Sequence, residues 1–357
     1  MRVLYVPNER GTARQHGMRR AFKNLVDAGL LEAWLPFSAL WRVGQGDAPA
    51  TVQNQLFDLA RDFEPDLILL QHLGGTGFDD LTFAQLRRIA PHAQFLHHEA
   101  DPYTRFVHPL PREARAAAAA CDVSFAVGSG TFLDNLRRAG APAVRWIPSV
   151  YVPDNLREPD PQDAPEFDVV MIANRNQPRL RGLPNRRERA RYVALLSRRY
   201  GSRFAIFGRG WSGPSAQGSV PYSQQQSILD SAVVSTNWDH FRSEPQYFSD
   251  RLPTALASGS LHVTSNHRGY EHVFPSGTGR FLGLAATFSD AVRLIDAQLD
   301  TPAAERERRR REGQAFAAAN FRQDDNLVSM INWRDTVIDP ERARDSWDTT
   351  VTIDLSV

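Results

Sequence analysis

Ionisable and polar side chains gather in a few short stretches of this chain, and each stretch suits a different chemical task. His97-His98-Glu99-Ala100-Asp101-Pro102-Tyr103 concentrates imidazoles and carboxylates within a few residues. Glu99 or Asp101 would serve there as the base that removes a hydroxyl proton, with plain surface polarity as the competing reading. The adjacent histidines do not suggest one shared metal ion, because neighbours on a strand point to opposite faces. Asn8-Glu9-Arg10-Gly11-Thr12-Ala13-Arg14-Gln15-His16-Gly17 is a polar loop. In it His16 is either a further general base, since imidazole titrates near neutral pH, or a residue that caps or solvates the loop. Asn174 and Arg175 open an arginine-rich segment with Arg179, Arg181, Arg186, Arg187, Arg189 and Arg191, whose forked donors suit phosphate oxygens. Phe207-Gly208-Arg209-Gly210-Trp211 combines glycines that permit close backbone approach with an indole able to stack on a ring; the glycines serve equally well as turns.

These stretches need elements to hold them. Short β-branched and aromatic runs at 3–7, 31–36, 67–73, 94–99, 123–128 and 144–148 alternate with helical patterns, which reads as repeated βαβ units. Residues 67–70 are apolar at successive positions, as in parallel strands covered on both faces. Residues 151–166 are rich in Pro, Asp and Glu and cannot pack, so they read as a linker. A second series follows at 167–173, 203–208, 232–237, 261–265 and 280–282. The expectation is an α/β protein with domains at 1–152 and 167–325, and a C-terminal helix and tail at 326–357. In open α/β sheets ligands collect at the carboxyl ends of strands, where all of the stretches above would lie. No GxGxxG follows the first strand, which argues against a dinucleotide oxidoreductase.

The chain has 357 residues, a net charge of +1, one cysteine and 42% hydrophobic residues. Near-neutral charge supplies no global field toward nucleic acid or anionic lipid. Nearly all the positive charge is arginine, with Lys23 as the one lysine. Cys121 cannot form an internal disulfide and reads as a packing residue. No apolar run approaches the roughly 20 residues that span a bilayer, and the N-terminus lacks a secretory signal pattern, so a cytoplasmic protein is expected. The run Arg308-Arg309-Arg310-Arg311 reads as a solvated helix face rather than a nucleic-acid contact.

The most informative stretch is Gln246-Tyr247-Phe248-Ser249-Asp250-Arg251-Leu252-Pro253-Thr254-Ala255-Leu256-Ala257-Ser258-Gly259, followed by Ser260-Leu261-His262-Val263-Thr264: a loop, a short helix, a glycine stop and a buried strand. Here the chain resembles retaining-type GT-B glycosyltransferases, and among them the spore-maturation, CgeB-like group. The likeness covers most of the second domain, including the turn at Gly208 and residues 227–232, and is architectural in the first. It implies two Rossmann-like domains facing across a cleft, with a C-terminal helix packing back on the first. It also implies a hexosyltransferase that uses a nucleotide sugar such as UDP-glucose as co-substrate, with no other cofactor and no essential metal. The donor contacts would be Arg251 to phosphate, with Ser249, Asp250 and Thr254 beside it and Asn174, Arg175, Gly208, Arg209 and Trp211 from the preceding turns. The family loop carries two glutamates eight residues apart; here Gln246 and Thr254 stand in those places. The acceptor stays open among small molecules, glycans, protein side chains and a hydroxymethylated base in DNA. So does the choice between retention and inversion. A binding module without catalysis is the alternative of another class.

Overall fold

The computed structural model describes residues 1–11, 14–101, 103, 108–153, 165–175 and 183–334. Among these residues the chain builds two six-stranded sheets, parallel throughout.

The first sheet contains β1 (Arg2–Val6), β2 (Ala33–Pro36), β3 (Leu67–Gln71), β4 (Gln94–Glu99), β5 (Val123–Ala126) and β6 (Val144–Trp146), in the order β2-β1-β3-β4-β5-β6. Every residue of β3 is buried, because helices cover both faces. Successive side chains alternate between the two cores: Leu4 and Val6 pack with Ile68 and Leu70 on one face, Val3 and Tyr5 with Leu67 and Leu69 on the other. Leu327 and Met330 of the helix Gln323–Ile331 complete the second of these cores. The Asn24 side-chain amide donates to Asp324 at 2.9 Å, fixing that helix against His16–Asp27. Full burial of each apolar side chain stabilises by roughly 1.5–3 kcal/mol. The C-terminal helix is thus part of the first domain's core, as the family likeness implies.

The second sheet contains β7 (Phe167–Ile172), β8 (Phe204–Phe207), β9 (Ala216–Gly218), β10 (Ala232–Asn237), β11 (Leu261–Ser265) and β12 (Leu282–Ala285), in the order β12-β11-β10-β7-β8-β9. Its main core gathers Val169, Met171, Ile206 and Val234 around Tyr192 and Trp238. Strand order reverses between β1 and β3 in one sheet and between β7 and β10 in the other, and such switch points open crevices at the strands' carboxyl ends.

Several boundaries differ from the sequence reading. β9 is a three-residue edge strand, Ala-Gln-Gly, with no apolar run to announce it. β12 lies beyond the expected 280–282, because Ser276–Arg280 turns as a short 3₁₀ helix first. The compact units are Met1–Ile147 with the segment from Gln323, and Pro148–Arg322. The division precedes the expected linker because Tyr151 already pairs with the second unit, its N–H donating to the Phe321 carbonyl at 3.0 Å. Most of that linker, 154–164, lies outside the described residues.

The arginine run sits on the helix Ala303–Asn320 and is spoken for locally. Arg308 pairs with Glu305 at 2.7 Å and Glu312 at 2.8 Å, Arg309 with Glu305 at 2.8 Å, and Arg311 with Glu307 at 2.9 Å. Arg310 donates to the Gly259 carbonyl at 2.5 Å.

Candidate functional site

In the second domain the turns after β7 and β8 are stitched together. The Arg209 N–H donates to Asn174 Oδ1 at 2.9 Å, Arg175 N–H to the Arg209 carbonyl at 2.9 Å, and Trp211 Nε1–H to the Ala173 carbonyl at 2.6 Å. This crossing needs glycine at position 208. Its φ is +144°, and a Cβ there would lie 2.2 Å from the Ala173 oxygen. The turns wall a cavity of about 260 Å³, also lined by Ser219, Gln225 and Arg251. That is near the lower end of the roughly 300–1,000 Å³ of small-molecule sites.

Four residues expected on the donor side, Asn174, Gly208, Arg209 and Arg251, therefore share one cavity. The others take different positions. Trp211 uses its indole N–H to hold the turn and is not among the residues that line the cavity. The Arg175 guanidinium sits 5.7 Å from the Trp211 ring centre. Thr254 is buried on the helix Arg251–Ala257, its hydroxyl facing a water-sized void of about 10 Å³ shared with Arg251, Ser235 and His262. The Ser249 hydroxyl is buried without a hydrogen-bond partner among the described residues. Asp250 is exposed at the N-cap position and makes no capping hydrogen bond, so capping does not account for it.

The arginine-rich segment is a helix from residue 186 onward, Arg186–Tyr200; Arg179 and Arg181 lie outside the described residues. Arg187 and Arg191 are exposed, whereas Arg189 turns inward and is 4% exposed. Its Nε–H donates to the Trp238 carbonyl at 2.7 Å, and among the described residues no carboxylate pairs with it. Burial lowers Arg189 to about 10, and the charge of Arg251 acts in the same direction. Asp239 is buried nearby; burial opposes its ionisation, but hydrogen bonding and charge from His267, with Arg189 and Arg251 beyond, hold its carboxyl below the ordinary value. Two cations thus act on one buried region, in which Asp239 lies 3.4 Å from His267 Nε2. Sequence patterning marked the arginines as a group; the one that turns inward is set apart only by the helical spacing Arg189, Tyr192, Val193, Leu196 of the buried face.

The first domain carries a different cluster at the ends of β3 and β4. Glu99 is 2% exposed, with one oxygen 3.4 Å from His97 Nε2 and the other 3.4 Å from His72 Nδ1. Burial opposes its charge, but the two imidazoles outweigh it and hold the carboxyl down to about 2. His72 Nδ1 is also 3.5 Å from Asp101 and 2.9 Å from the Tyr103 hydroxyl. His98 points the other way, 3.3 Å from the Gln71 amide, as alternation on a strand requires. His72 has φ +45°, a left-handed conformation that costs a residue with a Cβ of order 1–3 kcal/mol. His16 is exposed at the start of its helix and joins no side-chain hydrogen bond among the described residues. His72 was not singled out from sequence. Its signal is a histidine directly after a buried strand and before Gly74-Gly75-Thr76-Gly77. Among the described residues no three His, Cys, Asp or Glu side chains meet as a metal site, and no helix is long and apolar enough to cross a membrane.

A family model described as glycosyl transferase-like matches residues 186–331. Sucrose-phosphate synthase from Thermosynechococcus elongatus superposes with a TM-score of 0.60 at 12% identity, covering 94% of this chain and 98% of that one. HepE of Anabaena, in complex with UDP and glucose, superposes with a TM-score of 0.59 at 11% identity, covering 94% and 99%. The chain has the GT-B fold. A glycosyltransferase from Rickettsia africae shares this GT-B architecture at a TM-score of 0.59 and 11% identity, over 96% of this chain and 98% of that one. No curated protein matches by sequence.

Proposed function

We propose that this GT-B protein is a cytoplasmic glycosyltransferase that moves a hexose from a nucleotide sugar, UDP-glucose or another UDP-sugar, to a hydroxyl acceptor. The observation that carries this reading is the convergence of Asn174, Gly208, Arg209 and Arg251 on one cavity at the carboxyl ends of β7 and β8. HepE, of the same fold, has structures with UDP-glucose and with UDP. Arg251 and Arg209 would meet the diphosphate, with Arg189 adding positive potential from beneath; charge that develops as the C1–O bond breaks is stabilised by donors already in place. On this reading the leaving group needs no bound metal. Ser249, Asp250, Thr254 and Arg175 would serve as neighbouring polar contacts. Thr254, where the family has a ribose-binding glutamate, offers a hydroxyl instead of a carboxylate. The finer assignment to the CgeB-like group rests on the loop 246–259.

The acceptor side would belong to the first domain, around Glu99 and Asp101, with His16 contacting substrate from the loop after β1. The test is nucleotide release. Incubation with UDP-glucose, UDP-galactose, GDP-mannose and ADP-glucose should release a nucleoside diphosphate from at least one donor, and Arg251→Ala should abolish it. Tight nucleotide-sugar binding without turnover over an acceptor panel would instead identify a binding module.

A further inference from the structure

We infer that the cavity beside Arg251 takes 2′-deoxynucleoside diphosphate sugars on the same terms as their ribose counterparts, because its wall is rich in hydrogen-bond donors and poor in acceptors. The inference rests on the nucleotide-sugar reading above and concerns the same cavity. Phosphate and pentose ask for opposite partners. Phosphate oxygens only accept, so guanidinium and amide donors suit them. The hydroxyls of a ribose each bring a proton, and a carboxylate, which only accepts, is the group that reads the 2′-OH in nucleotide folds of this kind.

The polar side chains that line the cavity are Asn174, Arg209, Ser219, Gln225 and Arg251. Both guanidiniums are donors only, and the diphosphate claims them. Asn174 Oδ1 already accepts the Arg209 N–H at 2.9 Å, which leaves the NH2 as the part of that amide available to a ligand. The carbonyls at the crossing of the turns are engaged as well. That of Phe207 accepts the Ala173 N–H at 2.8 Å, that of Arg209 the Arg175 N–H at 2.9 Å, and that of Ala173 the Trp211 Nε1–H at 2.6 Å. Gln225 and Ser219 remain, neutral groups that donate as readily as they accept.

Among the described residues no carboxylate lines this cavity. Asp250 is exposed at the N-cap position of the helix Arg251–Ala257 and stands outside the lining. Thr254, on the same helix, lines the adjoining water-sized void with His262 and not the cavity. Residues 176–182, which follow Arg175, are Asn-Gln-Pro-Arg-Leu-Arg-Gly and contain no acid. A site that pairs a substrate hydroxyl with a dedicated partner rejects the analogue lacking it, because that partner is left unpaired. Here removal of the 2′-oxygen strands no such partner. Thymidine diphosphate sugars, which lack that oxygen, therefore fall within the donor class.

UDP and 2′-deoxy-UDP differ by this one oxygen and share base and diphosphate. Calorimetric titration of the wild type should give affinities within about fivefold of each other, the worth of one neutral hydrogen bond. The kcat/KM values for nucleotide release from UDP-glucose and 2′-deoxy-UDP-glucose should agree within the same factor. A carboxylate on the 2′-OH would instead weaken the deoxy compound about 10- to 150-fold. Arg251→Ala should weaken both nucleotides alike, since the phosphates they share meet that residue. A preference for the ribose compound of roughly tenfold or more in binding or turnover, or an Arg251→Ala loss confined to one nucleotide, would overturn the inference and leave the donor reading standing. A wild type that binds neither nucleotide would defeat the donor reading, and this inference with it.

Discussion

Burial of the Arg189 guanidinium, reinforced by the charge of Arg251, brings that arginine down to about 10. A base whose folded value is lowered destabilises the fold at every pH below that value. The displacement from 12.5 to about 10 corresponds to roughly 3 kcal/mol. Loss of the hydrogen bond to Trp238 would return about 1 kcal/mol of that. Arg189→Met should therefore raise the melting temperature of the ligand-free protein while weakening UDP binding about tenfold or more, as expected for a residue kept for binding at a cost in stability. Differential scanning calorimetry and calorimetric titration of the same variant check both halves. A fall in melting temperature with unchanged UDP affinity would make Arg189 a structural residue.

Gly208 is the closest backbone approach at the cavity. Gly208→Ala places a Cβ 2.2 Å from the Ala173 carbonyl, at a φ that residues with a Cβ rarely adopt. The β7 and β8 turns must then part, at a cost of at least about 2 kcal/mol. Urea unfolding should report that loss and nucleotide titration the loss of the site. Wild-type values in both would show that the turns are pliable.

Acid should weaken the fold before ordinary carboxylates titrate. His98 and His262 are lowered to about 4, chiefly by burial. The unfolded chain takes up these protons first, near 6.5, so the contribution is full above that pH and is lost as pH falls toward 4. Each group contributes up to roughly 1.4 kcal/mol per pH unit within that window. The urea midpoint should decline between pH 7 and pH 5, and His262→Gln should flatten part of the decline. Glu99, held down to about 2, adds a further loss below its unfolded value near 4.5. A midpoint independent of pH from 7 to 5 would contradict the neutral buried imidazoles.

The helix Gln323–Ile331 stabilises the first domain, although it follows the second in sequence. Met330 is fully buried, and Met330→Ala should cost about 2–5 kcal/mol. Hydrogen exchange should show the loss in β1 and β3, against which its core packs. Protection lost only within the helix would mean that it docks independently.

Much of the architecture is legible in the chain because parallel strands buried on both faces are written as continuous apolar runs. Leu67-Ile68-Leu69-Leu70 is the clearest case. β9 was invisible because a three-residue edge strand needs only backbone pairing, and Ala-Gln-Gly carries no pattern. On the donor side, glycines and arginines after strands pointed to turns that line one cavity, since post-strand loops of a parallel sheet gather at one edge. Which of them share a cavity depended on side-chain direction: Trp211 turned to a carbonyl, and Arg189 was hidden in a group of exposed neighbours. His72 escaped notice because it is a lone histidine without a motif. It joins the cluster only because Glu99, Asp101 and Tyr103, about 30 residues away in sequence, reach the same nitrogen.

On the proposed reading, the cavity beside Arg251 holds the phosphates of a nucleotide sugar. Calorimetric titration with UDP, on the wild type and on Arg251→Ala, tests it most directly. A charge-assisted hydrogen bond contributes about 1.5–3 kcal/mol, so the variant should bind UDP roughly 10- to 150-fold more weakly at an unchanged melting temperature. Equal affinity in both proteins, or no UDP binding by the wild type, would contradict it.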